Sequence, residues 1–282
     1  MPIRIFSRRV RLSCLLLLPL LPSASAGQQG AAVAAERAAF RRWLMSASNS
    51  PLAAVAQRRI DSGVSLGPAD ADIPLAGLGL HTLRERDGSV TLTAPDGRAR
   101  PVPRGRLVPL PPYALTLSGE TGRTTVTVFQ SPKGKPPEWY AYDPALVFEG
   151  PIAAAPAPET SRVLTLDGIE VEAFLAGYAR LPLGEPAARL RVLRMPVPGT
   201  EEFELQVYFR DETSGKGTYP AGRFVEVTPI GDGRYRVDLN RARNPFCAYS
   251  SVYACPLPWP GNTIHAAVTA GEKYAGGGLE LE

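Results

Sequence analysis

The strongest constraint on the fold is a recurring pair of small turn residues set between short alternating apolar stretches. Asp87-Gly88 precedes VTLTA, Asp96-Gly97 follows it, Asp167-Gly168 separates VLTL from IEVEAF, and Gly231-Asp232-Gly233 separates RFVEV from RYRVDLN. Aspartate and glycine tolerate the positive φ of tight hairpin turns, so each site predicts a reversal between antiparallel strands. Beyond the last turn Tyr235, Val237 and Leu239 alternate with Arg234, Arg236 and Asp238, and earlier Val126 and Val128 alternate with Thr125 and Thr127. That is the period-two pattern of strands with one buried and one wet face. The 29 prolines and 27 glycines are spread through the chain, which fits many short strands and not a low-complexity linker. The pattern predicts a mainly β protein of two small antiparallel β units, sandwich- or barrel-like.

One stretch breaks the strand pattern. In AAVAAERAAFRRWLMSAS, Val33, Phe40, Trp43 and Leu44 recur on one face and Glu36, Arg37, Arg41 and Arg42 on the other, predicting an amphipathic helix over residues 27–47 packed on the flank of the protein. Ahead of it, Arg4, Arg8, Arg9 and Arg11 precede the apolar run Leu15 to Leu21, and Ala24-Ser25-Ala26 follows. This is the layout of a secretory signal peptide, cleaved after residue 26. Its apolar core is short and interrupted by Pro19, so no integral membrane segment is expected after cleavage. Cys14 lies before the apolar run, not after it, which argues against lipid attachment. The segment carries four of the chain's 31 basic residues and no acid, leaving 27 basic against 27 acidic. A formally neutral mature chain gives no reason to expect nucleic acid as a partner. The expected location is periplasmic or secreted.

After the helix, residues 48–150 read as an N-terminal β unit, 151–160 (PIAAAPAPET) as a linker, and 161–282 as a C-terminal β unit. The stretch from Gly63 to Leu75, then His81 and the Asp87-Gly88 hairpin, faintly resembles the start of a forkhead-associated sandwich. That resemblance implies a sandwich fold for the first unit. Pro68 and Leu78 stand where such modules place the arginine and serine that hold a phosphate, so phosphopeptide recognition is not implied.

Export leaves two cysteines, Cys247 and Cys255, eight positions apart in NPFCAYSSVYACPLPWPGN. In an oxidising compartment two such cysteines join as a local disulfide. A zinc site built from Cys247, Cys255, His265 and an acid is the alternative; the spacing excludes a C-x-x-C redox motif.

From Phe209 onward the blocks FRDETSGKGTYPAGRFVEV and VDLNRARNPFCAYSSVYACPLPWPGNTIHAAVTAGEKY resemble the C-terminal signature of the DUF1684 family of bacterial and archaeal proteins. In that resemblance Leu239 and Arg243 stand where a phenylalanine and an aromatic residue are expected. Gly261 and Thr263 flank Asn262 where a glutamate and an arginine are expected. The resemblance implies no activity.

The polar residues of this signature are Asp211, Thr213, Ser214, Thr218, Tyr219, Arg223, Asp238, Asn240, Asn244, Glu272 and Lys273. Singly, each has a structural reading: Asp211, Thr213 and Ser214 as turn formers, Arg223 with Asp238 as a cross-strand ion pair, Asn240 and Asn244 as loop caps. Together they predict a polar pocket for a small ligand, in a binding or accessory module that needs no cofactor and no metal. Two other readings stand beside it: a cofactor-free hydrolase using Asp211, Arg223 and Glu272, and an assembly partner of envelope proteins through an exposed sheet edge. No P-loop, dinucleotide fingerprint or H-E-x-x-H is present.

Overall fold

A computed structural model describes residues 26–197, 202–274 and 276. The residues expected to form the signal peptide lie outside the described ones, save Ala26. The first element is helix α1 (Ala26–Ser46), with Val33 and Leu44 buried. No helix among the described residues is long and apolar enough to cross a membrane.

Nine strands follow: β1 (Ala54–Arg59), β2 (Val64–Gly67), β3 (Ile73–Pro74), β4 (His81–Arg86), β5 (Ser89–Thr93), β6 (Ala99–Val102), β7 (Val108–Leu110), β8 (Tyr113–Ser118) and β9 (Thr125–Phe129). They form a five-stranded sheet in the order β3-β2-β4-β5-β6 and a four-stranded sheet in the order β1-β9-β8-β7. Leu66, Leu83, Val90 and Leu92 of the first pack with Leu115, Leu117, Val126 and Val128 of the second in one core. This is a sandwich, and the alternation of apolar and polar residues along each strand is its cause. At the β4–β5 turn Asp87 and Gly88 both have positive φ (50° and 79°), the geometry a two-residue hairpin turn needs.

The remaining strands are β10 (Val147–Pro151), β11 (Thr160–Leu164), β12 (Glu170–Leu181), β13 (Ala188–Pro196), β14 (Phe203–Asp211), β15 (Arg223–Gly231), β16 (Arg234–Asp238) and β17 (Thr263–Ile264). They make one sheet in the order β10-β16-β15-β14-β13-β12-β11, with β17 added in parallel to β14. The sheet curls until its two ends approach: Ala153, just past β10, exchanges hydrogen bonds of 2.9 and 2.8 Å with Tyr178 of β12. Only glycine fits beside that contact, because a Cβ on Gly177 (φ +145°) would lie 2.3 Å from the Ala153 carbonyl oxygen. The curl does not close: β10 and β11 remain its edges, so the barrel-like half of the expectation gives way to an open, wrapped sheet. Val207, Phe209, Val225, Val227 and Val237 line its inner face, and the C-terminal residues Ile264, Val268 and Ala270 are buried against them.

The chain passes from one core to the other between Phe129 and Val147. Residues 151–160, expected as a linker, include Pro151 in β10, paired with Arg234, and Ala153 bridged to Tyr178. A third, smaller core joins the two: Ala53, Ala54 and Phe129 from the sandwich meet Tyr219, Ala221, Cys247 and Tyr253. The loop carrying the cysteines is thus the joint between the halves.

Candidate functional site

The signature residues separate into three clusters. The first is buried. β14 ends at Asp211, β15 begins at Arg223, and the loop between them is a set of tight turns. Asp211 Oδ1 accepts from Thr213 N (2.8 Å) and Thr213 Oγ1 (2.5 Å), Ser214 Oγ accepts from Asp211 N (3.1 Å), and the Thr213 and Thr218 hydroxyls lie 2.9 Å apart. Arg223 Nη2 donates to Asp211 Oδ2 (2.8 Å) and Val268 O (3.0 Å), and Nη1 donates to Ala270 O. Both charged side chains are fully buried. Burial pulls the Arg223 pKa below its usual value, and the Asp211 carboxylate opposes that pull. The pair satisfies backbone groups of a C-terminal coil that has no sheet partners at these positions, which is the condition for burying such a coil at all.

Arg223 therefore pairs with Asp211 and not with Asp238 as expected. Strand alternation is the reason: Arg223 shares the inner face with Val225 and Val227, whereas Asp238 follows the inward Val237 and faces the other way. Asp238 belongs to the second cluster. Its Oδ1 accepts from Asn240 N (3.0 Å) and Nδ2 (2.9 Å), and its Oδ2 accepts from Arg241. Asn240 also clasps the backbone of Asp143 through bonds of 2.8 Å in each direction. Arg241 Nε reaches Glu36 of α1 (2.8 Å), and Arg37 Nη2 donates to Asn240 O (2.8 Å). These contacts fasten the helix to the sheet, so the helix's polar side is also engaged with the protein.

The third cluster surrounds a cavity of about 450 Å³ lined by Leu52, Lys133, Lys135, Asn244, Tyr249, Glu272, Lys273 and Tyr274 among others. Residues 271–273 are held against 138–140 by Tyr140 N→Gly271 O (3.0 Å) and Lys273 N→Glu138 O (2.9 Å). This places the Glu272 carboxyl inward, 1% exposed. Oε2 accepts from Asn244 N (2.9 Å) and Oε1 from the Tyr249 hydroxyl. Burial pushes the Glu272 pKa up to about 7, although Tyr249, Asn244, Arg243 and Arg223 all favour the anion. Burial and the nearby Glu272 charge push the Tyr249 phenol up as well. Asn244 Nδ2 donates to Lys273 O (3.0 Å), but its buried Oδ1 has no hydrogen-bond partner. Lys133 and Lys135 are exposed and make no ion pair among the described residues. Lys273 Nζ lies 4.9 Å from the centre of the Tyr140 ring.

Tyr219 joins none of these clusters. Its hydroxyl donates to Cys247 Sγ (3.4 Å) and lies 3.3 Å from Cys255 Sγ, and burial raises the phenol to about 12. The two sulfurs stand at bonding distance, with Cα atoms 5.5 Å apart, inside the usual range for a bridge. No group of three or more His, Cys, Asp or Glu arranged to hold a metal occurs among the described residues. Replacing both cysteines by alanine is expected to destabilise the protein by about 2–3 kcal/mol, the entropy of so short a loop. Urea unfolding of the purified protein and the variant measures this. Two thiols labelled in denatured, unreduced protein would show that no bridge exists.

Sequence reasoning did not single out Tyr249, Lys133 or Lys135. The lysines reach the cavity from a loop more than 100 residues before Glu272, and no periodicity reports such a contact. Tyr249 had a local signal, as an aromatic inside the cysteine loop.

An open, curled antiparallel sheet whose buried ion pair anchors its own C-terminal coil, joined to an N-terminal sandwich, defines a β protein with a polar cavity beside residues 271–274. Residues 136–273 match the family model described as Protein of unknown function (DUF1684). The solution NMR structure of an uncharacterized protein from Haloarcula marismortui is similar at 29% identity over 49% of this chain and 76% of that one, with a TM-score of 0.41. No curated protein matches the chain.

Proposed function

We propose that the protein is an exported binding module whose cavity at Glu272 holds a small anion bearing hydroxyl groups. The observation that carries the reading is the unpartnered Asn244 Oδ1 beside a fully buried carboxyl at about pKa 7, under a rim with the free lysines Lys133 and Lys135. An orphaned buried acceptor is costly unless a donor reaches it, and a ligand hydroxyl supplies one. The ammonium groups supply the charge for the anion, and the cavity volume falls in the range of small-molecule sites. Export rests on the basic, apolar and small-residue segments of the first 26 residues and on the cysteine pair. The mature chain then begins at Gly27, which N-terminal sequencing of protein from the cell envelope tests.

The hydrolase alternative, which needs two carboxylates in one cleft, finds less support than the binding reading. Asp211 is sealed from solvent and taken up by Arg223, Thr213 and the Val268 N–H, so it offers no second carboxylate to a cleft.

Gluconate serves as the probe for the binding reading. Calorimetric titration is expected to show saturable binding that weakens about tenfold or more in Lys133→Glu/Lys135→Glu, the scale of one lost charge-assisted contact. Equal heats with the doubly reversed variant, or none with either protein, would remove the cavity as the site.

A further inference from the structure

A second feature lies next to Asn244, and its side-chain donors are used by none of the hydrogen bonds or ion pairs above. Arg243 follows β16 in the chain and exchanges backbone hydrogen bonds of 2.8 Å with Phe224 of β15. Its half-buried guanidinium makes no hydrogen bond or ion pair among the described residues; its near neighbour is the Phe40 ring of α1, with the centroid 4.8 Å away. The other arginines on this side are engaged: Arg37 and Arg41 with carbonyl oxygens, Arg236 with Glu149, Arg241 with Glu36 and Asp238.

Arg243 sits where two spaces meet. One is a largely apolar hollow of about 530 Å³ between α1 and the loops that carry Leu166 and Phe246, walled by these two with Phe40 and Trp43, and lined also by Glu36, which is paired with Arg241. Its rings form a continuous surface, Phe40 to Trp43 at 5.5 Å and Trp43 to Phe246 at 6.0 Å. The other is a polar trough of about 510 Å³ over the outer face of β14 and β15, whose walls include Glu204, Gln206 and Glu226. A planar guanidinium with free donors is matched by a carboxylate, which it binds through two parallel hydrogen bonds. The acids of the neighbouring trough disfavour a multiply charged anion, so the charge complement of the site is a single negative charge. The aromatic wall asks for an apolar body attached to that charge, and the hollow has the volume of a small-molecule site.

We propose that this groove is a second ligand site, distinct from the Glu272 cavity, that takes an amphipathic monocarboxylate: its carboxylate on Arg243, its apolar body against Phe40, Trp43 and Phe246. Desolvation of the rings supplies most of the affinity, and Arg243 fixes the orientation and selects for charge.

The test compares 4-phenylbutyrate with 4-phenyl-1-butanol by calorimetric titration or ligand-observed NMR on the full mature chain. The acid is expected to bind at least about tenfold more tightly than the alcohol, because only the acid engages the guanidinium. Arg243→Met keeps the backbone pairing with Phe224 and is expected to bring the acid down to the affinity of the alcohol. Trp43→Ala is expected to weaken both compounds together. Equal binding of acid and alcohol by the unmodified protein, or no saturable binding of either, would overturn the proposal. That comparison holds even if a variant fails to fold. Undiminished binding of the acid by folded Arg243→Met would overturn it as well.

Discussion

Replacing Arg223 by methionine is expected to cost about 3–5 kcal/mol of folding stability, the usual penalty for removing one member of a buried ion pair. The cost is large because the substitution does more than delete an attraction. It leaves the Asp211 carboxylate sealed from water without its cation, and it strips the donors from the Val268 and Ala270 carbonyls. Those carbonyls belong to the coil packed inside the curled sheet with Ile264 and Val268, so the loosened coil would also expose apolar area. A companion Asp211→Asn change removes the orphaned charge, and the double variant is expected to recover part of the loss. Urea unfolding of the single and double variants measures both effects. A loss below about 1 kcal/mol for Arg223→Met, the scale of a surface pair, would mean that the pair does not hold the coil.

The second large effect concerns pH. The folded pKa of Glu272 is raised from an ordinary 4.5 to about 7, so over that interval the folded state binds more protons than the unfolded one. A raised carboxyl contributes stability that is complete below the unfolded pKa and is lost as pH rises through the folded one. The protein is therefore expected to weaken between about pH 4 and pH 7 by about 3 kcal/mol from this residue alone, at about 1.4 kcal/mol per pKa unit. Glu272→Gln keeps the shape and lacks the titration. Burial raises the Asp167 carboxyl as well, so the pH dependence of the wild type alone does not isolate Glu272. The quantity to measure is thus the difference in unfolding free energy between wild type and Glu272→Gln across the range. That difference should shift against the wild type as pH rises. A constant difference would show that Glu272 ionises in the folded protein as it does in water.

The strands were legible because their cause is local. Asp87-Gly88 and Asp232-Gly233 adopt the positive φ values that the turn chemistry requires, and the valines of β9 are buried as their alternation predicts, although Thr127, expected on the wet face, is buried as well. The curl was not legible, since it depends on Ala153 meeting Gly177 across the sheet, a contact between positions that carry no shared pattern. The candidate site was legible only as a list. Asp211, Thr213, Arg223, Asn240, Asn244 and Glu272 all stand in that list, and all are buried. Which of them meet depends on the parity of Arg223 and Asp238 along their strands and on where the final coil runs. A one-residue difference in parity sends a side chain to the opposite face, and the turn between β15 and β16 sets that parity only once the register is known. The part played by Lys133 and Lys135 depends on chain closure across the joint between the two cores, for which short-range patterns carry no information.

The most direct test of the account is the titration of the Glu272 side-chain carboxyl carbon by NMR, with and without gluconate, in protein labelled with ¹³C. A buried carboxyl on the floor of a ligand cavity predicts a midpoint near 7 in the free protein and a displaced midpoint when the anion is bound. A midpoint in the ordinary glutamate range, unmoved by gluconate, would contradict it.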